Sequence, residues 1–437
     1  MMQNKTQKVG LITATSLVVG NMIGAGIYVL PAALAGYGSV SLVGWVLTAL
    51  GALVLAKIFG NFSKIIVNKS GGPYTYTREG FGDFIAFLVA WGYWICIWIG
   101  NASIVVAIIS ALSFFFPVLE TNKVLAVIVG LGFIWFFSWI NSRGVKESGR
   151  IQVITTIMKL LPLVLIIIIG AFMFDSNNFP EFNMTGESNF TTIPLVATLT
   201  LYAFLGLESA TIPAENISNP EKTVSRATIY GTLISTTIYI LSTIVLFGLL
   251  PAEVLKDSPS PFAEASKLIG GEFAGYFVAA GAAISAIGAL NGWILISGQI
   301  PMATARDHLF PKIFKKENSK GAPAVAIVIG SLLTSGVMLM NFSESLVDQF
   351  ETIVLLSAFT ALIPYLFTAA SYALVIIEHR FHLPGKGKSV ILAGLGISYS
   401  LWTIFGSGQK TVFYGTLLLL LGIPFYILMN WNKKRRE

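Results

Sequence analysis

The sequence predicts an all-α polytopic membrane protein with twelve transmembrane helices. Of its 437 residues, 55% are hydrophobic and 11% charged, where a soluble protein carries about 25% charged residues. Mean hydropathy is +0.77. Apolar runs recur along the whole chain, each near the roughly 20 residues that cross a bilayer.

In order, the spans are expected at 9–35, 39–63, 82–116, 122–141, 151–174, 191–213, 224–249, 272–299, 322–342, 350–377, 389–406 and 411–431. The runs are continuously apolar, without the in–out alternation of barrel strands. Lys5 and Lys8 precede the first run as in a signal peptide, but no A-x-A-like cleavage site follows, so the run is expected to stay as span 1. The longest polar stretches, 175–190, 251–271 and 300–321, are too short for a soluble domain. The chain therefore reads as a single transmembrane domain over 1–437. DHLFPKIFKK within 300–321 is expected to form a short interfacial helix.

The net charge of +7 would suggest nucleic acid in a soluble protein, but its distribution points elsewhere. With both termini placed inside, 23 of the 28 basic residues fall on inner loops and span ends, the terminal Lys433, Lys434, Arg435 and Arg436 among them. Four lie outside: Lys123, Lys256, Lys267 and Lys410. This bias places both termini in the cytoplasm and the protein in the cell membrane, the inner membrane in a bacterium. The terminal KKRR is expected beside anionic lipid. The bilayer is thus a partner, and nucleic acid is not.

Several function classes are excluded. Cys96 is the single cysteine, so no intramolecular disulfide forms. No GxxxxGK[ST] loop occurs, against ATP-driven transport. No His, Cys or carboxylate cluster serves an enzyme. His379 and His382 lack further ligands at metal-binding spacing, and no cofactor is expected. A channel, the remote alternative, would want a continuous polar pore.

Span 1 contains GNMIGAGIYVLP (20–31), with Gly20, Gly24 and Gly26 followed by Pro31. Span 6 contains GLESATIP (206–213), which repeats the glycine, six residues, proline pattern of GAGIYVLP (24–31) at an offset of 182 residues. Each repeat then holds five spans, and five is odd, so the second repeat is inverted relative to the first. Paired interrupted spans of this kind point to a transporter binding site, because unwound backbone at membrane depth survives only inside protein or along a cavity. The repeats are expected at about 9–174 and 191–377, with extra spans over 389–431. N–H groups near Ile23, Gly24, Ala25 and Gly26 suit a carboxylate. Carbonyls at the end of the first half of span 6, near Phe204 to Gly206, suit an ammonium, with Tyr202 and Ala203 beside them as candidate site residues. Together they suit an amino-acid zwitterion. The alternative is that the glycines only permit close packing, as GxxxG pairs do.

At these residues the chain resembles the amino acid–polyamine–organocation superfamily, closest to its bacterial basic amino acid/polyamine antiporters. GNMIGAGIYVLPAALAGYG, GGPYTYTREGFG, LYAFLGLESATIPAENISNPEKTVSRA and ALIPYLFTAA carry the likeness, which covers nearly the whole chain. It implies a LeuT-type five-plus-five inverted repeat with broken spans 1 and 6, two extra C-terminal spans, and often a homodimer. Tyr93, Asn101, Glu208, Trp293, Ser357 and Tyr365 match positions that line or gate the site of arginine/agmatine-exchanging members. Three positions differ: a serine is Ala25 here, a gating tryptophan is Tyr202, and a site cysteine is replaced by Ile97 beside Cys96. Amino-acid transport is still implied, with the substrate left open.

Two ionisable side chains are expected within the hydrocarbon, where charge is costly and usually functional: Glu208 and Lys159. Glu208 reads either as a cap for free N–H groups or as a proton-responsive gate. Lys159 lies nine positions into span 5, about 13 Å from its inner end. It either snorkels to the interface or acts as an internal cation or proton carrier, as a lysine resembling it does in proton-coupled relatives by bridging spans 1, 5 and 8. Tyr93, Tyr202, Trp293 and Tyr365 offer cation–π faces to an amine, although most such aromatics pack or form interface belts. The expected function is exchange of a basic amino acid for another amino acid or its decarboxylated amine. Proton-coupled symport through Lys159 is the alternative, with protons then a second partner beside the small-molecule substrate.

Overall fold

Prolines and serines set many of the helix starts. Pro73, Pro220 and Pro261 sit in the first turn of their helices, where a missing N–H leaves no bond unmade. Ser188 and Ser345 accept hydrogen bonds from the Phe190 and Asp348 N–H groups and cap two more.

The computed structural model describes residues 9–66, 72–144, 149–211, 217–340, 344–378 and 386–434. Its helices are α1 (Leu11–Met22), α2 (Gly26–Ala35), α3 (Val40–Ile65), α4 (Pro73–Ser113), α5 (Val118–Thr121), α6 (Lys123–Ser142), α7 (Gly149–Gly170) and α8 (Asn189–Tyr202). They continue with α9 (Pro220–Leu249), α10 (Ala252–Leu255), α11 (Pro261–Arg306), α12 (Ala324–Met340), α13 (Leu346–Ile377), α14 (Lys386–Gly406), α15 (Gln409–Leu420) and α16 (Gly422–Lys434). Pro213 of the span 6 echo, His379, His382, Lys5, Lys8, Arg435 and Arg436 lie outside the described residues.

Among the described residues, nine helices are long and apolar enough to cross a bilayer, and α1 with α2, bent by 41° at their break, makes a tenth. The spans expected at 191–213 and 322–342 correspond to α8 with the turns that follow it, and to α12; the two helices have 14 and 17 residues. Two helices run past their expected starts. α4 begins at Pro73 and is interrupted at Gly82 (φ 76°, ψ −167°), and α11 begins at Pro261 and is interrupted at Gly271 (φ 69°, ψ −167°). The expected starts at 82 and 272 fall at these interruptions. The DHLFPKIFKK segment forms a single 3-10 turn, Lys312–Lys315, because Pro311 disfavours helical backbone before it.

α4 is central, with 94% of its apolar window buried, whereas α15 and α16 are peripheral at 11%. The outward side chains of the peripheral helices are apolar, among them Phe405, Phe413, Phe425 and Leu428. In lipid that exposure carries no penalty, because the solvent is itself apolar. One wall of the core is aromatic: Trp45 on α3, Phe204 after α8 and Tyr239 on α9 lie with ring centroids 5.1–6.0 Å apart.

Candidate functional site

The break between α1 and α2 begins where the Ile23 N–H makes the last helical bond, 2.7 Å to the Val19 carbonyl. The Gly24 N–H turns back to the Met22 carbonyl at 3.1 Å, and α2 restarts at Gly26. The N–H groups of Ala25, Gly26 and Ile27 have no backbone partner among the described residues. An unpaired buried N–H costs about 1–3 kcal/mol, so these are the donors the break can offer to a polar ligand.

After α8 the chain unwinds into three-residue turns from Ala203 to Thr211. Gly206 takes φ 101°, backbone that side-chain-bearing residues rarely adopt. The turns occupy two carbonyls expected to be free: Phe204 accepts from the Leu207 N–H and Gly206 from the Ser209 N–H. The Ala203 carbonyl accepts from the Tyr239 hydroxyl at 2.8 Å. The Leu205 carbonyl has no hydrogen-bond partner among the described residues.

Between the two breaks lies a small, partly open cavity of about 30 Å³. Gly24, Ala25, Gly26, Cys96, Ile97, Tyr202, Trp293 and Ser357 line it. Glycine at 24 and 26 is required by approach: a Cβ would lie 3.0 Å from the Ala289 Cβ and 2.9 Å from the Tyr202 ring. The Ser357 hydroxyl donates to the Cys96 carbonyl at 2.9 Å, which ties α13 to α4. The Tyr202 hydroxyl sits 2.5 Å from that of Ser103 on α4.

Other expected residues stand just outside the lining. Ile23 and Phe204 are fully buried in packing. Ala203 and Gly206 serve the turns. Asn101 follows the lining residue Gly100, is buried, and its Oδ1 has no hydrogen-bond partner among the described residues. Asn21, Met22, Gly100, Ile104, Leu205 and Ala289 also line the cavity and were not anticipated. Helical spacing was the available signal: Gly100 and Ile104 follow Ile97 at three and seven positions, and Ala289 precedes Trp293 by four.

No charged side chain lines the cavity among the described residues. Glu208 is buried nearby, where Oε1 accepts from the Tyr93 hydroxyl and Oε2 from the Tyr365 hydroxyl at 2.8 Å. That joins the unwound stretch to α4 and α13. The half-helix that Glu208 was weighed as capping falls in part on residues outside the described ones. Lys159 on α7 turns inward instead of snorkelling: its Nζ donates to the Gly20 carbonyl at 3.1 Å. A Cβ on Gly288 of α11 would lie 3.7 Å from the Lys159 Cε. Ser285, also on α11, donates to the Gly24 carbonyl at 3.0 Å. One buried ammonium thus sits where α1, α7 and α11 meet.

Comparison with known proteins follows the same outline. The sequence profile of the family described as amino acid permease matches residues 9–423. The arginine/agmatine antiporter of Chlamydia pneumoniae is 33% identical, over 99% of this chain and 92% of its own length. The arginine/ornithine antiporter of Pseudomonas aeruginosa is 31% identical, over 97% and 91%. The putrescine transporter PotE of Haemophilus influenzae is 34% identical, over 99% of each chain. With its apolar helices, its paired breaks and relatives aligned along nearly their whole length, this chain belongs to the amino acid permease family of membrane transporters.

Proposed function

We propose that the protein is a secondary transporter that works by alternating access and exchanges a basic amino acid for another amino acid or its decarboxylated amine. The observation that carries this reading is the cavity between two breaks, lined by Ala25 and Gly26, whose N–H groups have no backbone partner among the described residues, and by Leu205, whose carbonyl has none. A zwitterion satisfies both at once: its carboxylate takes the donors and its ammonium the acceptor. The substrate side chain then extends toward Trp293, Cys96, Ile97, Asn101 and Ser357. The ring of Trp293 offers a cation–π face to an amine or guanidinium. Tyr93, Glu208 and Tyr365 gate the site. Exchange is favoured because the similar proteins named above include arginine/agmatine and arginine/ornithine antiporters.

Twelve spans with cytoplasmic termini, arranged as inverted repeats of five spans, are part of the same reading. A second echo supports the inversion. Arg78 pairs with Asp83 across the interruption at Gly82, and Lys267 pairs with Glu272 across the interruption at Gly271. Base, glycine and acid each recur 189 residues later, with nearly the same glycine dihedrals. The two interruptions precede the third span of each repeat, so inversion sets them on opposite faces of the membrane.

Proton-coupled symport remains the second reading, favoured by the Lys159 ammonium at the junction of α1, α7 and α11. Reconstituted protein separates the two. Arginine uptake that requires agmatine, ornithine or another amino acid inside the vesicle, with no imposed pH gradient, establishes exchange. Uptake into empty vesicles driven by a proton gradient, and lost in Lys159→Ala, establishes symport instead.

A further inference from the structure

We propose that the seam between α2 and the first turns of α13 is the outward gate of the cavity, with the Tyr37–Glu351 hydrogen bond as its latch. The proposal rests on the alternating-access reading and on the outward placement of this face. Tyr37 follows the end of α2, Glu351 lies in the second turn of α13, and the tyrosine hydroxyl donates to Glu351 Oε1 although the two are 314 residues apart in sequence.

Beside the latch, Ala32 and Ala33 of α2 meet Val347, one turn before Glu351 on α13, in a small apolar cluster separate from the main core. Phe350, next to Glu351 on α13, packs edge-on against Tyr202 with centroids 6.0 Å apart, and Tyr202 lines the cavity. The face of α13 that carries Val347, Glu351 and Val354 leads to Ser357 at the cavity, about 15 Å along the helix at 1.5 Å per residue.

Two features suit this seam to open. The cluster of Ala32, Ala33 and Val347 is apart from the main core, so parting it exposes little area compared with that core. The backbone around Tyr37 is also strapped away from α13. The Ser39 and Val40 N–H groups donate to the Glu181 and Phe182 carbonyls, and the Met184 N–H donates to the Tyr37 carbonyl. Tyr37 therefore moves with the turn between α2 and α3 and with the loop before α8, while Glu351 moves with α13. The latch is the polar bond between them.

Cys96 makes the test direct, since it is the single cysteine of the chain and lines the cavity. Full-length protein in oriented vesicles is exposed to a membrane-impermeant methanethiosulfonate from either side, and the rate of Cys96 labelling is followed. Tyr37→Phe and Glu351→Ala are each expected to speed labelling from the outer side about tenfold, the scale of losing one hydrogen bond to a carboxylate. The double variant is expected to match the singles, because both remove the same bond. Labelling from the inner side should stay level or slow. Unchanged outer labelling in both single variants overturns the latch. So does equal acceleration from both sides, which marks a loosened fold, and so do additive effects in the double variant. Arginine or agmatine should slow labelling of the unaltered protein. If neither slows labelling and neither is exchanged, the basic-amino-acid reading fails, while outer-side labelling of the variants still decides the latch.

Discussion

Tyr365 on α13 donates its hydroxyl hydrogen to Glu208 Oε2 across 2.8 Å, while Tyr93 on α4 holds the other carboxyl oxygen. Three elements distant in sequence are thereby fixed around one buried side chain beside the cavity. Losing one donor leaves a buried carboxyl oxygen short of a partner, worth about 1–3 kcal/mol. Tyr365→Phe is therefore expected to lower the exchange rate about tenfold at 1.4 kcal/mol per decade, with uptake of radiolabelled substrate in proteoliposomes as the measurement. The same rate in Tyr365→Phe and the unaltered protein would remove this trio from the gate.

Lys159 holds the Gly20 carbonyl in the last turn of α1, so its loss acts on the end of that helix beside the break. Lys159→Ala should destabilise the folded protein by about 1–3 kcal/mol through the carbonyl left unpaired, read as a lower melting temperature in detergent. Under the exchange reading, residual uptake still requires substrate inside the vesicle. Residual uptake that no longer depends on internal substrate would count against that reading.

Gly206 and Gly292 offer a matched contrast. Gly206 has φ 101°, and a Cβ there would lie 3.0 Å from the Asn21 Cβ, whereas nothing lies within 4 Å of one at Gly292, beside Trp293. Gly206→Ala is expected to cost about 1–3 kcal/mol of stability from backbone strain and to impair uptake. Gly292→Ala should leave both near their original values. Equal behaviour of the two variants in melting and flux would refute the role given to the Gly206 backbone.

Gly82 and Gly271 carry nearly the same dihedrals with nothing within 4 Å of an added Cβ, so alanine at either site meets backbone strain alone. Each substitution should cost about 1–3 kcal/mol, and the two costs should agree. The half-exposed Arg78–Asp83 and Lys267–Glu272 pairs contribute little stability, about 0–1 kcal/mol each. Thermal melts of Gly82→Ala and Gly271→Ala that differ widely would contradict the equivalence of the two interruptions.

Some of this protein could be read along the chain. Apolar length marks a membrane span because the bilayer has a fixed thickness. The glycines at 24, 26 and 206 mark breaks because side chains fit badly at those points, and each break was placed within a few residues. Gly24, Ala25, Gly26, Cys96, Ile97, Tyr202, Trp293 and Ser357 surround one cavity, since most of them sit at or beside those breaks or on the helices facing them.

Tertiary structure decided the rest. The turns after α8 took up the Phe204 and Gly206 carbonyls and left that of Leu205. Lys159 turned to the Gly20 carbonyl instead of the surface. The partners Tyr37 and Glu351 lie 314 residues apart, and nothing in either segment alone names the other. The base–glycine–acid echo was present in the sequence, but only matching dihedrals and ion pairs set it apart from chance spacing. The physical reason is common to all four. In a soluble helix, polarity separates the buried face from the exposed one. In lipid both faces are apolar, so helix partners are chosen by close packing and a few polar bonds that no local pattern records.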